Sequence, residues 1–232
     1  MNTQNNQNEF LVWQFDFALT TFFEVDTYLV QPLLPSILKP VEVVSGISLI
    51  NVTAFNFPAG ALDSLPEFQE LIFSVIVTPD LSRGVPKFAM YVVSIGSSCR
   101  EHLDHSVDYY KLPVYENLIH GSINKDKLSV DYSDSVGSII TMQNCSHQIN
   151  FKEDEKRYFQ AFSSCNDQIY ISDCHIQASL FEHQQAGNAG QIHTHPFFKN
   201  LILDDATPTG YLQMIGEPGK LGQQVYYRPD IF

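Results

Sequence analysis

The sequence predicts a mainly β fold, an antiparallel β-barrel with a few short helices. Short runs of β-branched and aromatic residues recur along the chain between polar turns that carry Gly and Pro. No long stretch keeps the 3.6-residue period of an amphipathic helix. Hydrophobic residues make up 44% of the 232 residues and charged ones 17%, which is ample material for one core. All-β domains of this size are commonly single units.

Taken in order, residues 1–9 are polar and Asn/Gln-rich and read as a frayed tail, and 10–232 as one domain. No internal repeat and no linker composition divides it. Trp13, Phe15, Phe17 and Leu19 alternate with smaller or polar residues, the mark of a strand with one apolar face. Asp26 is placed to cap a short helix, because its carboxylate can accept the orphan N–H groups of a first turn; Pro32 and Pro35 end that helix. Residues 41–57 are long and β-branched, with Gly46 marking a bend or bulge. A turn-rich loop over 58–66 leads to the centre of the chain, 68–101, which reads as strand, break at 79–86, strand, and then one helical turn carrying Arg100 and Glu101.

An irregular stretch over 102–110 follows. Strands are then expected at 118–124, 128–132, 138–144, 147–151, 157–163 and 168–180. The mixed-charge run 152–157 reads as a solvated hairpin tip, 186–190 as a turn, and 197–203 as a short helix or strand. The remainder, with Pro208, Pro218, Gly219 and Gly222, reads as loop and ends on Arg228-Pro-Asp.

Charge narrows the function. The chain has 26 acidic against 13 basic residues, a formal net charge of −13, which repels nucleic-acid backbones and anionic lipid. No apolar run approaches the ~18–20 residues needed to span a bilayer. The first residues lack the basic start and apolar core of a signal peptide, so a cytoplasmic location is expected. Cys99, Cys145, Cys165 and Cys174 form no CxxC pair and read as buried free thiols.

Two places concentrate chemistry. In the first, Glu70 enters an apolar strand between Phe68 and Phe73, and Arg100-Glu101 follows the second strand. Two readings of Glu70 stand side by side: a buried acid of raised pKa that moves protons, or a strand-end carboxylate that faces water or pairs with Arg100. In the second, His193-Thr-His195 offers two imidazoles that share a face if the segment is a strand, with His175 and His183 as further ligands. Two ligands make an incomplete site, so no metal and no cofactor is expected, and a metal-dependent enzyme at His193 and His195 is the weaker alternative. Neither a Gly-rich phosphate loop nor a Gly-x-Ser-x-Gly elbow occurs.

The aromatic-x-Glu of Phe68-Gln-Glu70, the Met90-Tyr91-Val92 strand, the Arg100-Glu101 pair, Asp26 with Leu33-Leu34-Pro35, and 121–130 together resemble the acetoacetate decarboxylase superfamily. The resemblance covers most of 15–130 and implies a β-barrel, a small keto acid or similar organic ligand inside it, a carbon–carbon lyase if the protein is an enzyme, and homo-oligomers. It points to Glu70 and Lys111 as catalytic candidates and to Arg100, Glu101, Glu24 and Tyr91 as ligand-binding candidates.

The family's chemistry needs an amine that is neutral near pH 7, obtained by desolvating a lysine beside a second cation. An ordinary lysine, of pKa ~10.4, is almost wholly protonated there. The alignment with few gaps puts His105, Ser106 or Val107 where the family has its lysine pair, and none of these forms an imine. A longer-gapped alignment places Lys111 there, but Leu112 follows it instead of a cation. Glu24 stands where the family has a carboxylate-holding arginine. The expectation is therefore a divergent, decarboxylase-like protein with an interior pocket and without efficient imine chemistry. The alternative is an active lyase that uses Lys111.

Overall fold

The structure, a computed structural model, describes residues 11–61, 64–79, 88–124, 129–143, 150–183 and 190–227; of 183, 210–218 and 222–227 it describes the backbone alone. The expected tail at 1–9, Cys145, most of the break at 79–86, most of the turn at 186–190 and the closing Arg228-Pro-Asp lie outside the described residues.

The stretch that begins at Trp13 becomes β1 (Leu11–Asp26), but its apolar residues do not share one face: Trp13 and Phe15 pack in one cluster with Ala18, and Phe17 and Leu19 in another. A four-residue helix α1 (Thr27–Val30) and a 3-10 turn (Gln31–Leu33) follow, with Pro32 in that turn. Asp26 occupies the N-cap position, but its side chain makes no capping bond. The 41–57 segment is a hairpin, β2 (Glu42–Val44) and β3 (Ile47–Phe57), and Gly46 supplies the left-handed backbone (φ +83°) that its turn requires. The central pair is β4 (Phe68–Ile76) and β5 (Ala89–Ser97), antiparallel as expected. Then come β6 (His120–Asn124), β7 (Ser129–Ser133), β8 (Ser138–Gln143), β9 (Asn150–Cys165), β10 (Gln168–His183), β11 (Gly190–Ile192) and β12 (Thr207–Tyr227).

Three expectations about where elements lie are corrected. The irregular 102–110 stretch is mostly helix: α2 spans Arg100–Asp108 and buries His102, Leu103 and Ser106, positions that fall on one helical face. The mixed-charge run 152–157 is not a hairpin tip but part of the sixteen-residue β9. An extra residue there, opposite Ala178–Leu180 and next to Asp154 at φ +48°, breaks the alternation that would have marked a strand. The loop-rich end is β12. Its Pro208 lies at the start of the strand, and Pro218 falls where register is lost between Ile215 and Gly219, the positions a strand tolerates proline.

The large sheet runs β1-β12-β10-β9-β5-β4-β3-β2, and β1 pairs with β3 as well. The pairings thus pass through seven strands, β1, β12, β10, β9, β5, β4 and β3, and return to β1. The sheet is mixed, not antiparallel throughout: Ala89–Tyr91 of β5 runs parallel to Gln160–Phe162 of β9. A second sheet, β11-β8-β7-β6, packs on the outside of β1, β3, β4 and β5. Between the two lies the main core, with Phe17, Leu19, Phe23, Leu71 and Phe73 on one side and Tyr132, Ile139, Met142, Phe197 and Phe198 on the other. Each large side chain buried there contributes roughly 1.5–3 kcal/mol.

The opposite face of the ring points inward. An extra residue in β5, Val93, opposes the Phe73–Ser74 step and switches the strand's parity, so Ile95, Val92 and Met90 share the inner face. No helix among the described residues is long and apolar enough to cross a membrane.

Candidate functional site

The inner faces enclose a cavity of about 630 Å³ to which all seven ring strands contribute. Thr20, Asn51, Thr53, Phe55, Glu70, Ile72, Val92, Cys174, Ile176 and Leu221 line its walls. Helix α2 adds His102 and Ser106, one turn apart, and the chain leaving the helix adds Tyr110 and Leu112. The volume is within the range of small-molecule sites, and the lining is mostly apolar with few polar groups.

Glu70 lies on β4 between Ser97 of β5 and Phe55 of β3, buried at 6% exposure. Loss of water pushes its carboxyl up to about 8, so it holds its proton at neutral pH. Its Oε1 is 3.9 Å from His102 Nε2. Burial, with the nearby His105, holds the His102 imidazole down at about 3, so it is neutral. Ser106 Oγ is 3.4 Å from the same Nε2, and the buried Nδ1 has no hydrogen-bond partner among the described residues.

Aromatic rings fix this pair. His102 stacks on Phe68 at 4.3 Å, Phe68 on Phe57 at 4.8 Å and Phe57 on Phe55 at 5.4 Å. Trp13 meets His102 edge-on at 5.7 Å and donates its indole N–H to the Tyr110 hydroxyl at 2.6 Å. A second polar strip runs along β1 and β3: Thr20 and Thr53 share a 2.8 Å hydrogen bond, Asn51 donates to Thr53 at 3.3 Å, and Asn51 Oδ1 has no partner among the described residues.

The cavity meets solvent at β9. The extra residue near Asp154 brings Lys152, Glu155 and Arg157 to one face, where Arg157 pairs with Glu182 and Lys152 lies 3.7 Å from Glu155. Lys156 extends over the Tyr158 ring at 5.4 Å. All of these except Glu182 line the cavity.

The other candidates lie elsewhere. Lys111 does not line the cavity; its Nζ donates to the Asp108 carbonyl at 2.5 Å, tying the chain to the end of α2. Arg100 is exposed and donates to the Glu116 carbonyl at 2.7 Å. Glu101 is also exposed, its carboxyl held low by its own backbone N–H and by the Cys99 thiol at 3.2 Å. Glu24 accepts from the Thr209 hydroxyl at 3.0 Å. Tyr91 sits in the main core with its hydroxyl 2.6 Å from Ser164 Oγ, and burial raises its pKa. The free thiols among the described residues are Cys99 and Cys174, both buried, and the half-buried Cys165.

His193 and His195 do not share a strand, because β11 stops at Ile192. His195 is buried with both nitrogens engaged: Nδ1 accepts the Phe197 N–H at 3.1 Å, so the proton sits on Nε2, 3.1 Å from Asp134. Asp134 also accepts from Tyr115, Asn117 and the N–H groups of Val136 and Gly137. Burial opposes its ionisation, but these bonds hold its carboxyl at about 2. Among the described residues no three His, Cys, Asp or Glu side chains are grouped to hold a metal ion.

Of the sequence-derived catalytic and ligand-binding candidates, then, Glu70 alone faces the cavity. Its companions Trp13, His102, Tyr110 and the β9 cations were missed, whereas Ser106, named as one of the residues standing where the family has its lysine pair, does line the cavity. The signal for the helical ones was the spacing of His102, Leu103 and Ser106, hidden because two of those buried residues are polar.

By sequence, the chain matches no protein-family model and no curated protein. By structure it is similar to acetoacetate decarboxylase from Legionella pneumophila, with a TM-score of 0.63 and 12% identity over 97% of this chain and 91% of that one. An acetoacetate decarboxylase-like enzyme from Sphingomonas wittichii superposes with a TM-score of 0.59 and 10% identity over 98% and 97% of the two chains. The enduracididine biosynthesis enzyme MppR, solved with the condensation product of pyruvate and imidazole 4-carboxaldehyde, gives 0.56 and 11% over 97% and 91%. At such identities the likeness is one of fold: the chain has the acetoacetate decarboxylase-like fold.

Proposed function

We propose that this chain is a decarboxylase-like protein whose ring of strands acts as a barrel around a small organic acid carrying a ketone. It presents a proton from Glu70 to that ketone and works without an imine-forming lysine. The observation that carries the reading is the pairing of a protonated Glu70 with a neutral His102 on the wall of a cavity built by all seven strands. An uncharged acid does not repel a carboxylate ligand, and its O–H is a donor that a ketone oxygen accepts. The Lys111 amine, bonded to the Asp108 carbonyl, lies outside that wall. The likeness to acetoacetate decarboxylase-like folds supports a small-molecule cavity at this position.

The test uses Trp13, the one tryptophan of the chain and a lining residue. Keto acids from acetoacetate upward in length are expected to change its fluorescence saturably, with no release of carbon dioxide from acetoacetate. Val92→Phe, which narrows the cavity without adding a second indole, is expected to abolish binding. Failure of every keto acid to bind, or turnover of acetoacetate, overturns the reading.

A further inference from the structure

The size of the cavity and the charge at its mouth define the ligand more narrowly. An acid as short as acetoacetate fills on the order of 100 Å³, a few water volumes, whereas the cavity encloses about 630 Å³. The balance would be water against Phe22, Phe55, Phe57, Phe88 and Phe159, which offer it no hydrogen bonds. An apolar body that displaces this water gains free energy in proportion to the area covered.

Charge is distributed unevenly along the cavity. Lys152, Lys156 and Arg157 stand at the mouth against Glu155, the one acid that lines it there. These are three of the 13 basic residues in a chain of net charge −13. Arg157 is satisfied by Glu182 and Lys152 by Glu155, but Lys156 has no carboxylate partner among the described residues. Among those residues the inner wall has no cation. A carboxylate taken there loses its water with nothing of opposite charge to replace it, which is costly. A ketone oxygen is neutral and can accept from the Glu70 O–H and from the His102 imidazole. Asn51 Oδ1, buried on the wall without a partner among the described residues, is placed to accept from a hydroxyl or N–H partway along a ligand.

Resting on the reading above, we propose that the ligand is an elongated amphipathic oxo acid. Its carboxylate stays at the rim of the mouth within reach of Lys156, which leaves β9 on the face opposite Glu155 and Arg157. Its apolar body lies along the aromatic walls, and its ketone reaches Glu70 and His102. The mouth cations thus take the role of carboxylate binding that Glu24, with its negative charge, cannot.

The experiment titrates full-length protein with ω-benzoyloctanoate, its methyl ester and acetoacetate, following Trp13 fluorescence and, in parallel, heat of binding. The long acid is expected to bind at least about tenfold more tightly than acetoacetate, since each buried methylene adds severalfold. It is expected to bind on the order of fivefold more tightly than its ester, as an exposed charge pair contributes. Lys156→Gln should remove the advantage of acid over ester and leave ester binding unchanged, and added salt should do the same. Equal binding of acid and ester to the native protein, or an undiminished preference in Lys156→Gln, overturns the placement of the carboxylate. Acetoacetate binding as tightly as the long acid overturns the elongated ligand while leaving the keto-acid cavity standing. Absence of binding by all three overturns both.

Discussion

Glu70 Oε1 and His102 Nε2 lie 3.9 Å apart in the cavity wall, and neither side chain is charged at neutral pH. The pair is held neutral by loss of water on both sides, not by mutual ionisation. That has consequences for stability as well as for binding.

Glu70 titrates at about 8 in the fold against 4.5 when unfolded, so the native state keeps a proton that the unfolded chain loses between those values. Stability from this group is full below pH 4.5 and falls as pH rises through 8. His102 has the opposite sign: held at about 3 against 6.5, it contributes stability above 6.5 that is lost as pH falls toward 3. The two slopes oppose each other between 4.5 and 6.5, where stability should be greatest. A tenfold difference in proton affinity between the folded and unfolded states is worth ~1.4 kcal/mol, so the alkaline limb should amount to a few kcal/mol. Urea midpoints measured from pH 4 to 9 should show this limb in the native protein and a flattened one in Glu70→Gln. An unchanged limb in that variant would place the titration elsewhere.

Much of this was legible in the sequence, for reasons that also explain the gaps. Alternation from Trp13 and the apolar neighbours of Glu70 report strands, because strand side chains alternate between faces, but not the single apolar face expected of β1: Trp13 and Phe15 pack with the cavity wall, whereas Phe17 and Leu19 pack in the main core. The same rule conceals β9, where one extra residue near Asp154 reverses the faces and makes cavity-lining charges look like a solvated tip. In β12, Pro218 marks a real irregularity but not an end. Closure of the ring was invisible locally, since β1 meets β12 some two hundred residues later. The imidazoles show a further limit: His193 and His195 are two apart, yet only a strand would give them a common face, and the strand stops first.

Trp13 and Tyr110 form a buried hydrogen bond of 2.6 Å between residues 97 apart in sequence, joining β1 to the chain after α2. Tyr110→Phe keeps the ring and removes the acceptor, leaving an indole N–H buried and unpaired. A loss of ~1–3 kcal/mol is expected, read from urea denaturation, together with a changed Trp13 emission. A loss near zero would mean that water replaces the hydroxyl.

Asp134 joins the turn between β7 and β8 to Tyr115, Asn117 and His195. Asp134→Ala leaves several donors unsatisfied, so stability should fall by on the order of 3 kcal/mol. Its carboxyl, at about 2 in the fold against 3.8, contributes stability that is lost only as pH falls through 2, so the variant should also lose that acid limb. Because His195 is already committed to Asp134 and to the Phe197 N–H, elemental analysis should find no stoichiometric zinc, iron or manganese. One ion per chain, lost with His195→Ala, would restore the metal reading.

Lys111 provides the sharpest test of the proposal that the protein works without an imine-forming lysine. Its neighbours Tyr110 and Leu112 line the cavity while its own amine is bonded to the Asp108 carbonyl at 2.5 Å. Its backbone is left-handed, φ +55°, a conformation that costs a non-glycine residue roughly 1–2 kcal/mol. To reach a ketone beside Glu70, the side chain would have to leave that carbonyl and the backbone would have to turn over. Leu112 follows where the decarboxylase family places a second cation, so the neighbour that would favour a neutral amine is missing. Borohydride added with acetoacetate should therefore leave Lys111 unmodified by mass spectrometry. Lys111→Gly should retain ligand binding and lose no stability, because glycine takes the left-handed turn without strain. A stable adduct on Lys111, abolished by Lys111→Ala, would show instead that the loop opens and that an active lyase remains.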